Sequence, residues 1–158
     1  MMKLTEIVPK GAVVAPLESL ERDGAINELI GALIAAGACD ESMREPIRLR
    51  VLDRERKLST GFGRGVAVPH AKHAGTSHVS AAVGVSQRGI DFSSPDKQPV
   101  YIVVLLLSPE ERPEDHLRAM EAVFKHLSKD SFRRLLRQSQ SPAEVWDVLV
   151  SADGQSLV

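Results

Sequence analysis

The sequence predicts one α/β domain, a three-layer α/β/α sandwich with a mixed central sheet. Helical apolar patterns flank the strand candidates on both sides, two before them and three after. The run Val100–Leu107 is continuously apolar, which is typical of a strand buried on both faces. Because strands and helices do not alternate regularly, we expect a mixed sheet. We assign residues 3–151 to this domain and residues 152–158 to a flexible tail.

The first predicted helix follows an extended segment, Met1–Glu18, that includes a short strand at Val13–Ala15. The helix spans about residues 20–36, and Gly37 favours its end because glycine readily adopts the left-handed conformation found there. Its apolar residues repeat every three or four positions, as in a helix with one buried face: Ile26, Leu29, Ile30, Leu33 and Ile34.

A second helix is predicted to continue to about Lys57. Ser42 and Glu45 have the spacing of a capping box, in which each side chain bonds the other residue's backbone N–H. Pro46 falls in the first turn, where proline is tolerated.

Three strand candidates occupy the middle of the chain: Val66–Val68, Val79–Val85 and Val100–Leu107. The segment Gln87–Pro99 joins the last two. We predict a turn-rich connection there, because it carries Gly89, Pro95 and Pro99.

Three helices are predicted to close the chain. The first begins near Pro113, and its apolar stripe comprises Leu117, Met120, Val123, Phe124 and Leu127. The second spans about residues 130–137. The third begins at Ser141–Pro142 and is expected to bury Val145, Trp146, Leu149 and Val150.

The most informative segment is Ser59–Pro69, which leads directly into His70. Three glycines alternate within it: Gly61, Gly63 and Gly65. Such a backbone can turn tightly and bring its N–H groups close to an oxyanion. Pro69 favours an extended Val68, so that His70 follows a stiff segment. On these residues alone, an ordinary turn with a surface histidine remains the alternative.

Nucleotide and metal sites fit this segment poorly. The glycine spacing matches neither the dinucleotide-binding fingerprint nor the phosphate-binding loop of nucleotide hydrolases. His70 and His73 lack a neighbouring cysteine or carboxylate cluster, so we expect no metal. His116 and His126 lie ten residues apart on one helix, about 80° apart around its axis, and do not share a narrow face. We expect His73, His78 and His126 to lie at the surface.

Composition limits the partners and the location. The net charge is −1, and no aromatic residues are interleaved with the arginines of the predicted helices, which we expect to be mostly solvated. We therefore expect no nucleic-acid partner. The longest apolar run is too short to cross a bilayer, and the single cysteine, Cys39, is expected to be a buried residue rather than a reactive thiol. These features favour a cytoplasmic protein without direct membrane insertion.

The stretch Leu52–Lys72 resembles the active-site segment of enzyme IIA domains of the fructose–mannitol class (type 2). These domains belong to the bacterial phosphoenolpyruvate-dependent phosphotransferase system and include nitrogen-type regulatory members. The family pattern is approximately R-E-x(3)-[ST]-T-G-x-G-x-G-[VI]-A-[VI]-P-H-[GA], and here it begins at Arg54 and ends at Ala71. The similarity extends to Gly89–Phe92 and to Phe132–Leu136.

The resemblance implies a three-layer fold with a mixed sheet and a phosphoryl-transfer activity. It implies that His70 accepts a phosphoryl group through Nε2 from the phosphohistidine of HPr, and that His116 and Arg54 stabilise that group. Further phosphate-binding donors are expected from the glycine loop and its hydroxyls: Ser59, Thr60, Gly61, Gly63 and Gly65. Transfer between two imidazoles is nearly balanced in energy, so we expect no cofactor or metal.

Two roles remain open. We favour a stand-alone nitrogen-type regulatory protein, whose phosphorylation state at His70 controls its binding to other proteins. We expect no attached IIB, IIC or HPr domain, which agrees with that role. The alternative is a sugar-transport IIA of the fructose or mannitol type that passes the group to a cysteine of a separate enzyme IIB. Arg64, between the last two glycines, is expected to face a partner or solvent rather than phosphate.

Overall fold

A mixed six-stranded sheet forms the centre of the protein in a computed structural model that describes residues 2–154. Its strands are β1 (Val13–Val14), β2 (Gly61–Gly63), β3 (Val66–Ala67), β4 (His70–Lys72), β5 (Ser80–Ile90) and β6 (Val100–Ser108). The order is β1-β5-β6-β3-β2, and β4 also pairs with β6. β1 is parallel to β5, and β3 and β4 are parallel to β6, whereas β2–β3 and β5–β6 are antiparallel. The prediction of a mixed sheet is confirmed.

Helices cover both faces of this sheet. Within residues 2–154 they are α1 (Leu4–Ile7), α2 (Arg22–Ala35), α3 (Arg44–Lys57), α4 (Pro113–Leu127), α5 (Asp130–Gln138) and α6 (Pro142–Asp153). Helices α2 and α3 pack on one face, and the other four pack on the opposite face. None of the helices in this part of the chain is both long and apolar enough to cross a membrane.

The central strand β6 separates two apolar cores. Its residues alternate between them, because successive side chains of a strand point to opposite faces. Ile102, Val104 and Leu106 pack beneath α4–α6, and Val103, Leu105 and Leu107 pack beneath α2 and α3. All six are 5% exposed or less, so the prediction of a strand buried on both faces is confirmed.

Helices α1 and α6 are joined by hydrogen bonds near the two limits of the described residues, where the sequence predicted an extended segment and a flexible tail. The N-terminal segment is not wholly extended, because Leu4–Ile7 form α1. The carboxylate of Asp153 accepts hydrogen bonds from the backbone N–H groups of Leu4, at 2.6 Å, and Thr5, at 2.9 Å. The prediction of a tail from residue 152 is therefore wrong for Ala152 and Asp153, which lie in α6. Residues 155–158 of that predicted tail lie outside the described residues.

Other boundaries differ from prediction for local reasons. Helix α3 begins at Arg44 after a 3-10 turn at Glu41–Met43, and the Ser42 hydroxyl bonds Asp40 instead of capping the helix. Strand β5 continues to Ile90, because its pairing with β6 extends to Val100, so the predicted turn-rich segment is wrong for residues 87–90. Gly37 ends α2 with a φ of +82°, as predicted.

For several side chains, the burial is the opposite of what the sequence predicts. Leu117, Phe124 and Val150 are exposed, at 60%, 36% and 50%. His126, predicted at the surface, is buried and packs against the ring of Phe132. Arg133, predicted to be solvated, is buried because it binds the Leu127 carbonyl and Asp130. Cys39 is buried, as predicted.

Candidate active site

Two histidines from separate elements meet at one end of β6. His70 begins β4 and lies opposite Leu106, and the Leu106 N–H donates to the Pro69 carbonyl at 2.9 Å. Strand β6 ends at Ser108, and the chain then enters α4, which carries His116 in its first turns. The ring centroids of His70 and His116 are 5.6 Å apart, with planes tilted by 47°. The pair thus combines the first residue of strand β4 with a residue in the first turn of helix α4.

The His70 ring is oriented by the backbone that precedes it. Its Nδ1 lies 2.9 Å from the Val68 carbonyl oxygen. A carbonyl only accepts hydrogen bonds, so Nδ1 carries the proton and Nε2 keeps its lone pair. Burial lowers the pKa of His70 below its usual value, and the charge of Arg54 lowers it further, while Val68 and Glu55 act in the opposite direction. At neutral pH the ring is therefore a neutral nucleophile at Nε2.

His116 is held by a hydroxyl at the end of the strand. Its Nδ1 lies 2.6 Å from Oγ of the fully buried Ser108. When that hydroxyl donates, the imidazole proton resides on Nε2, which becomes a donor for an anion. Burial, then the charges of His70 and Lys72, lower the pKa of His116 to about 4. The ring therefore acts as a neutral hydrogen-bond donor rather than as a cation.

Two cations contribute to the electrostatics of this pair. Arg54 projects from α3, and its Nη1 donates to the Leu58 carbonyl at 2.6 Å. Lys72 lies two residues beyond His70 in β4 and lowers the pKa of both histidines. Arg50 fixes the lysine's backbone, because its Nη1 donates to the Lys72 carbonyl at 2.9 Å and to Glu110 at 3.0 Å. An anion bound between the rings would meet positive charge from α3 and β4.

A buried carboxylate supports the start of the predicted glycine loop. Glu55, 2% exposed, accepts hydrogen bonds from the N–H of Thr60, at 2.8 Å, and from its hydroxyl, at 2.6 Å. The Ser59 hydroxyl donates to the Phe92 carbonyl at 2.6 Å and accepts from the Gly61 N–H at 3.0 Å. Thr60, Ser59 and Gly61 thus use these donors to hold the loop and leave none of them for phosphate.

The other two glycines lie far from His70, which corrects the prediction of a glycine cradle. They belong to the turn between β2 and β3, where Gly63 and Gly65 have φ values of +95° and +77°. The Gly65 carbonyl accepts from the N–H groups of Tyr101 and Ile102, near the start of β6. His70 lies opposite Leu106, so five residue steps along β6 put the turn roughly 16 Å away.

Sequence reasoning missed four residues of this site: Arg50, Glu55, Lys72 and Ser108. The first three lie within or next to the motif, but their roles depend on contacts that spacing does not reveal. Ser108 has a weak signal, since it is the polar residue that ends a long apolar strand. Residues 2–154 contain no group of three His, Cys, Asp or Glu side chains arranged to hold a metal ion.

This arrangement suits an electrophile that is transferred to Nε2 of His70. The His70 ring is neutral and oriented, and the His116 ring beside it can donate a hydrogen bond. The N-terminal end of α4 favours negative charge. Phosphoryl transfer depends mainly on such positioning and electrostatic stabilisation.

Comparison with known proteins identifies the family. Residues 6–152 match the model of the "Phosphoenolpyruvate-dependent sugar phosphotransferase system, EIIA 2". A fructose-specific EIIA component of Haloferax volcanii is 34% identical over 155 residues, which cover 94% of this chain and 97% of that protein. A nitrogen regulatory protein of Bradyrhizobium diazoefficiens is 32% identical over 148 residues, with 94% and 95% covered. A fructose-specific EIIABC component of Bacillus subtilis is 32% identical, and the chain spans only 24% of its length.

Solved structures agree in fold. The nitrogen regulatory protein IIA-Ntr of Neisseria meningitidis superposes with a TM-score of 0.80 at 29% identity, covering 91% of this chain and 97% of that one. An Escherichia coli complex of IIA mannitol with phosphorylated IIB mannitol contains a similar fold, with a TM-score of 0.73 at 16% identity and 89% and 95% covered. The chain belongs to the EIIA type 2 family of the phosphoenolpyruvate-dependent sugar phosphotransferase system.

Proposed function

We propose that this family member is a phosphohistidine carrier, which accepts a phosphoryl group on Nε2 of His70 from an HPr-type phosphocarrier protein. The observation that carries this proposal is the His70 ring itself. Its Nδ1 is bonded to the Val68 carbonyl, and burial lowers its pKa, so Nε2 presents a lone pair at neutral pH. Membership of the EIIA type 2 family agrees with phosphoryl transfer.

Attack by His70 needs no base, because Nε2 has no proton to lose. A bond forms between Nε2 and phosphorus while the donor's phosphorus–nitrogen bond breaks, and the donor imidazole recovers its lone pair. Positive charge develops on the His70 ring during this step. The Val68 carbonyl at 2.9 Å and the Glu55 carboxylate both favour that charge, as their effects on the pKa of His70 indicate.

His116, Arg54 and Lys72 are proposed to stabilise the phosphoryl group. With Nδ1 held by Ser108, the His116 ring can offer its Nε2–H to a phosphoryl oxygen. The two cations supply charge without a metal. Arg54 is half-buried and would have to exchange its bond to the Leu58 carbonyl for one to phosphate, or act at longer range.

An exposed apolar patch beside α4 supports docking of a protein donor. Leu117 follows His116 and is 60% exposed, and farther along the same face the Phe124 ring contacts that of Phe62 at 4.9 Å. Phe62 and Phe124 are 40% and 36% exposed. Exposed apolar side chains along one face of the helix that carries His116 are typical of a protein-binding surface.

A regulatory, nitrogen-type role is our preferred assignment within this function. The superposition with IIA-Ntr at 29% identity favours it. Sugar transport with a separate enzyme IIB is the second candidate, because the similarity to a fructose-specific EIIA component is equally strong in sequence. In the second case a IIB cysteine would accept the group from His70.

Labelling by phosphorylated HPr tests the carrier function. The protein should acquire one acid-labile, base-stable phosphate, located on His70 by mass spectrometry under alkaline conditions. His70→Ala should abolish labelling, whereas His78→Ala, which changes an exposed histidine, should label like the wild type. A folded His70→Ala variant that is still labelled would contradict the proposal.

The fate of the label separates the two roles. Mixing the labelled protein with a fructose-type enzyme IIB should leave the phosphate on His70 if the role is regulatory. Rapid appearance of a phosphocysteine on IIB would instead assign the protein to sugar transport.

A further inference from the structure

A group of arginines lies at the opposite end of β6 from the two histidines. A pocket of about 610 Å³ lies between the β2–β3 turn and α5. Its lining residues are mostly basic: Arg64, Asp130, Arg133, Arg134, Arg137 and Gln138. Asp130, the acidic residue among them, already binds Arg133. In the described part of the chain, no carboxylate pairs with Arg64, Arg134 or Arg137, so the pocket holds uncompensated positive charge.

Two arginines of this pocket, Arg133 and Arg137, are held in place by contacts within the fold. Arg133 is 8% exposed and donates to the Leu127 carbonyl at 2.7 Å. The Arg137 guanidinium stacks on the Tyr101 ring, 3.8 Å from its centroid. Guanidinium groups that are fixed beforehand lose less entropy when they bind an anion.

Arg64 reaches the pocket from an unfavourable backbone conformation. Its φ is +59°, and it stands between Gly63 and Gly65, which also have positive φ. Glycine or asparagine suits such a position better than arginine does. The turn is nevertheless fixed, because the Gly65 carbonyl accepts bonds from the N–H groups of Tyr101 and Ile102 at 2.8 and 3.0 Å. The turn therefore fixes the backbone position of Arg64, whose side chain lines the pocket together with residues of α5.

We propose that this pocket binds a small phosphorylated molecule, at a site separate from His70. Guanidinium groups bind phosphate through paired N–H donors, and three that have no carboxylate partner among the described residues, those of Arg64, Arg134 and Arg137, line a volume in the range of small-ligand sites. The polar lining fits a compact polyanion better than an apolar ligand. The turn lies roughly 16 Å along β6 from His70, so a ligand here would not occupy the phosphoryl-transfer site.

Titration with inorganic pyrophosphate tests this site, with amide chemical shifts as the readout, at about 0.15 M salt so that weak surface attraction is screened. We expect saturable shifts confined to residues 63–65 and to α5. The double variant Arg64→Gly/Arg134→Ala should weaken binding by about tenfold or more, because two charge-assisted contacts are lost. The matched variant Arg48→Ala/Arg56→Ala removes the same charge from α3, on the other face of the sheet, and should bind like the wild type.

Several results would overturn the proposal. Absence of saturable shifts, equal weakening in both double variants, or shifts centred on His70 and His116 would each exclude a site at α5. Binding of a polyglutamate peptide without binding of pyrophosphate would assign the pocket to an acidic protein surface instead. Thermal melting of each variant ensures that only folded proteins are compared.

Discussion

The side chains at the two ends of β6 differ in charge and therefore in how they can interact with an anion. At the Ser108 end, two half-buried histidines have lowered pKa values and are neutral, and their neighbours Arg54 and Lys72 supply positive charge. At the Val100 end, the exposed arginines Arg64, Arg134 and Arg137 are charged. Side-chain chemistry and burial together explain the difference, because an arginine stays charged even where it is buried, whereas burial penalises the charged form of an imidazole and leaves its lone pair available for chemistry. In the proposed function the histidine end forms a bond to phosphorus, whereas the arginine end binds an anion without forming a bond.

Replacing His116 gives the largest expected difference in phosphoryl-transfer rate between variants at the two ends of β6. His116→Ala should slow phosphoryl transfer by roughly 100-fold, because it removes a donor to the phosphoryl group in the transition state. Arg134→Ala, at the other end, should leave the rate unchanged. Rapid-quench measurements of labelling by phosphorylated HPr distinguish the two. Equal rates for His116→Ala and the wild type would remove His116 from the site.

Replacing Glu55 tests how much the stability of the protein depends on the hydrogen bonds between this carboxylate and Thr60. Glu55→Ala should lower the free energy of unfolding by about 2–3 kcal/mol, because the N–H and hydroxyl of the buried Thr60 lose their partner. Asp53→Ala, on the exposed side of the same helix, should cost less than about 1 kcal/mol. Urea unfolding measures both variants. A loss as small as that of Asp53→Ala would contradict the supporting role.

Removing the Lys72 charge should change the pH dependence of transfer. Lysine lowers the pKa of both histidines, so Lys72→Met should raise both values. The neutral form of His70 is the nucleophile, so its loss of activity on acidification should begin at a higher pH in the variant. In the wild type, NMR titration should give a pKa of about 4 for His116.

Two control variants keep this comparison interpretable. Lys10→Met removes an exposed lysine outside β4, and Arg64→Gly removes a charged side chain from the turn whose backbone lies roughly 16 Å from His70, beyond the screening length at physiological salt. Neither should move the pKa values. A shift in either that matches Lys72→Met would mean that net charge, rather than local charge, sets them.

The smallest expected effect is a gain in stability at the arginine end. Arg64→Gly should raise the free energy of unfolding by about 0.5 kcal/mol, because glycine adopts the positive φ of this turn without a steric cost. Arg134→Ala should change it by less than that. Urea unfolding of the two variants checks this. A destabilised Arg64→Gly would show that the arginine contributes to folding and not only to the pocket.

Patterns that depend on local geometry were predictable. The alternation of Val103 and Val104 between two cores follows from the period of a strand, and Gly37 ends α2 because of its own conformational freedom. Exposure was less predictable. Leu117 and Phe124 fit an apolar stripe in sequence, yet they lie exposed at the edge of α4, where a helix pattern alone does not distinguish a core from a binding surface.

By itself the sequence determined the fold class, the family motif and the histidine to which that motif leads, because these depend on residue types at short range. Tertiary structure decided what surrounds His70. Only the pairing of β4 with β6 places it beside His116, and the extended segment Val66–Pro69 along β6 separates it from Gly63 and Gly65, which are its near neighbours in sequence. The reason is physical: adjacency along the chain is covalent, whereas the pKa of an imidazole and the partners of a carboxylate are set by groups that folding brings together.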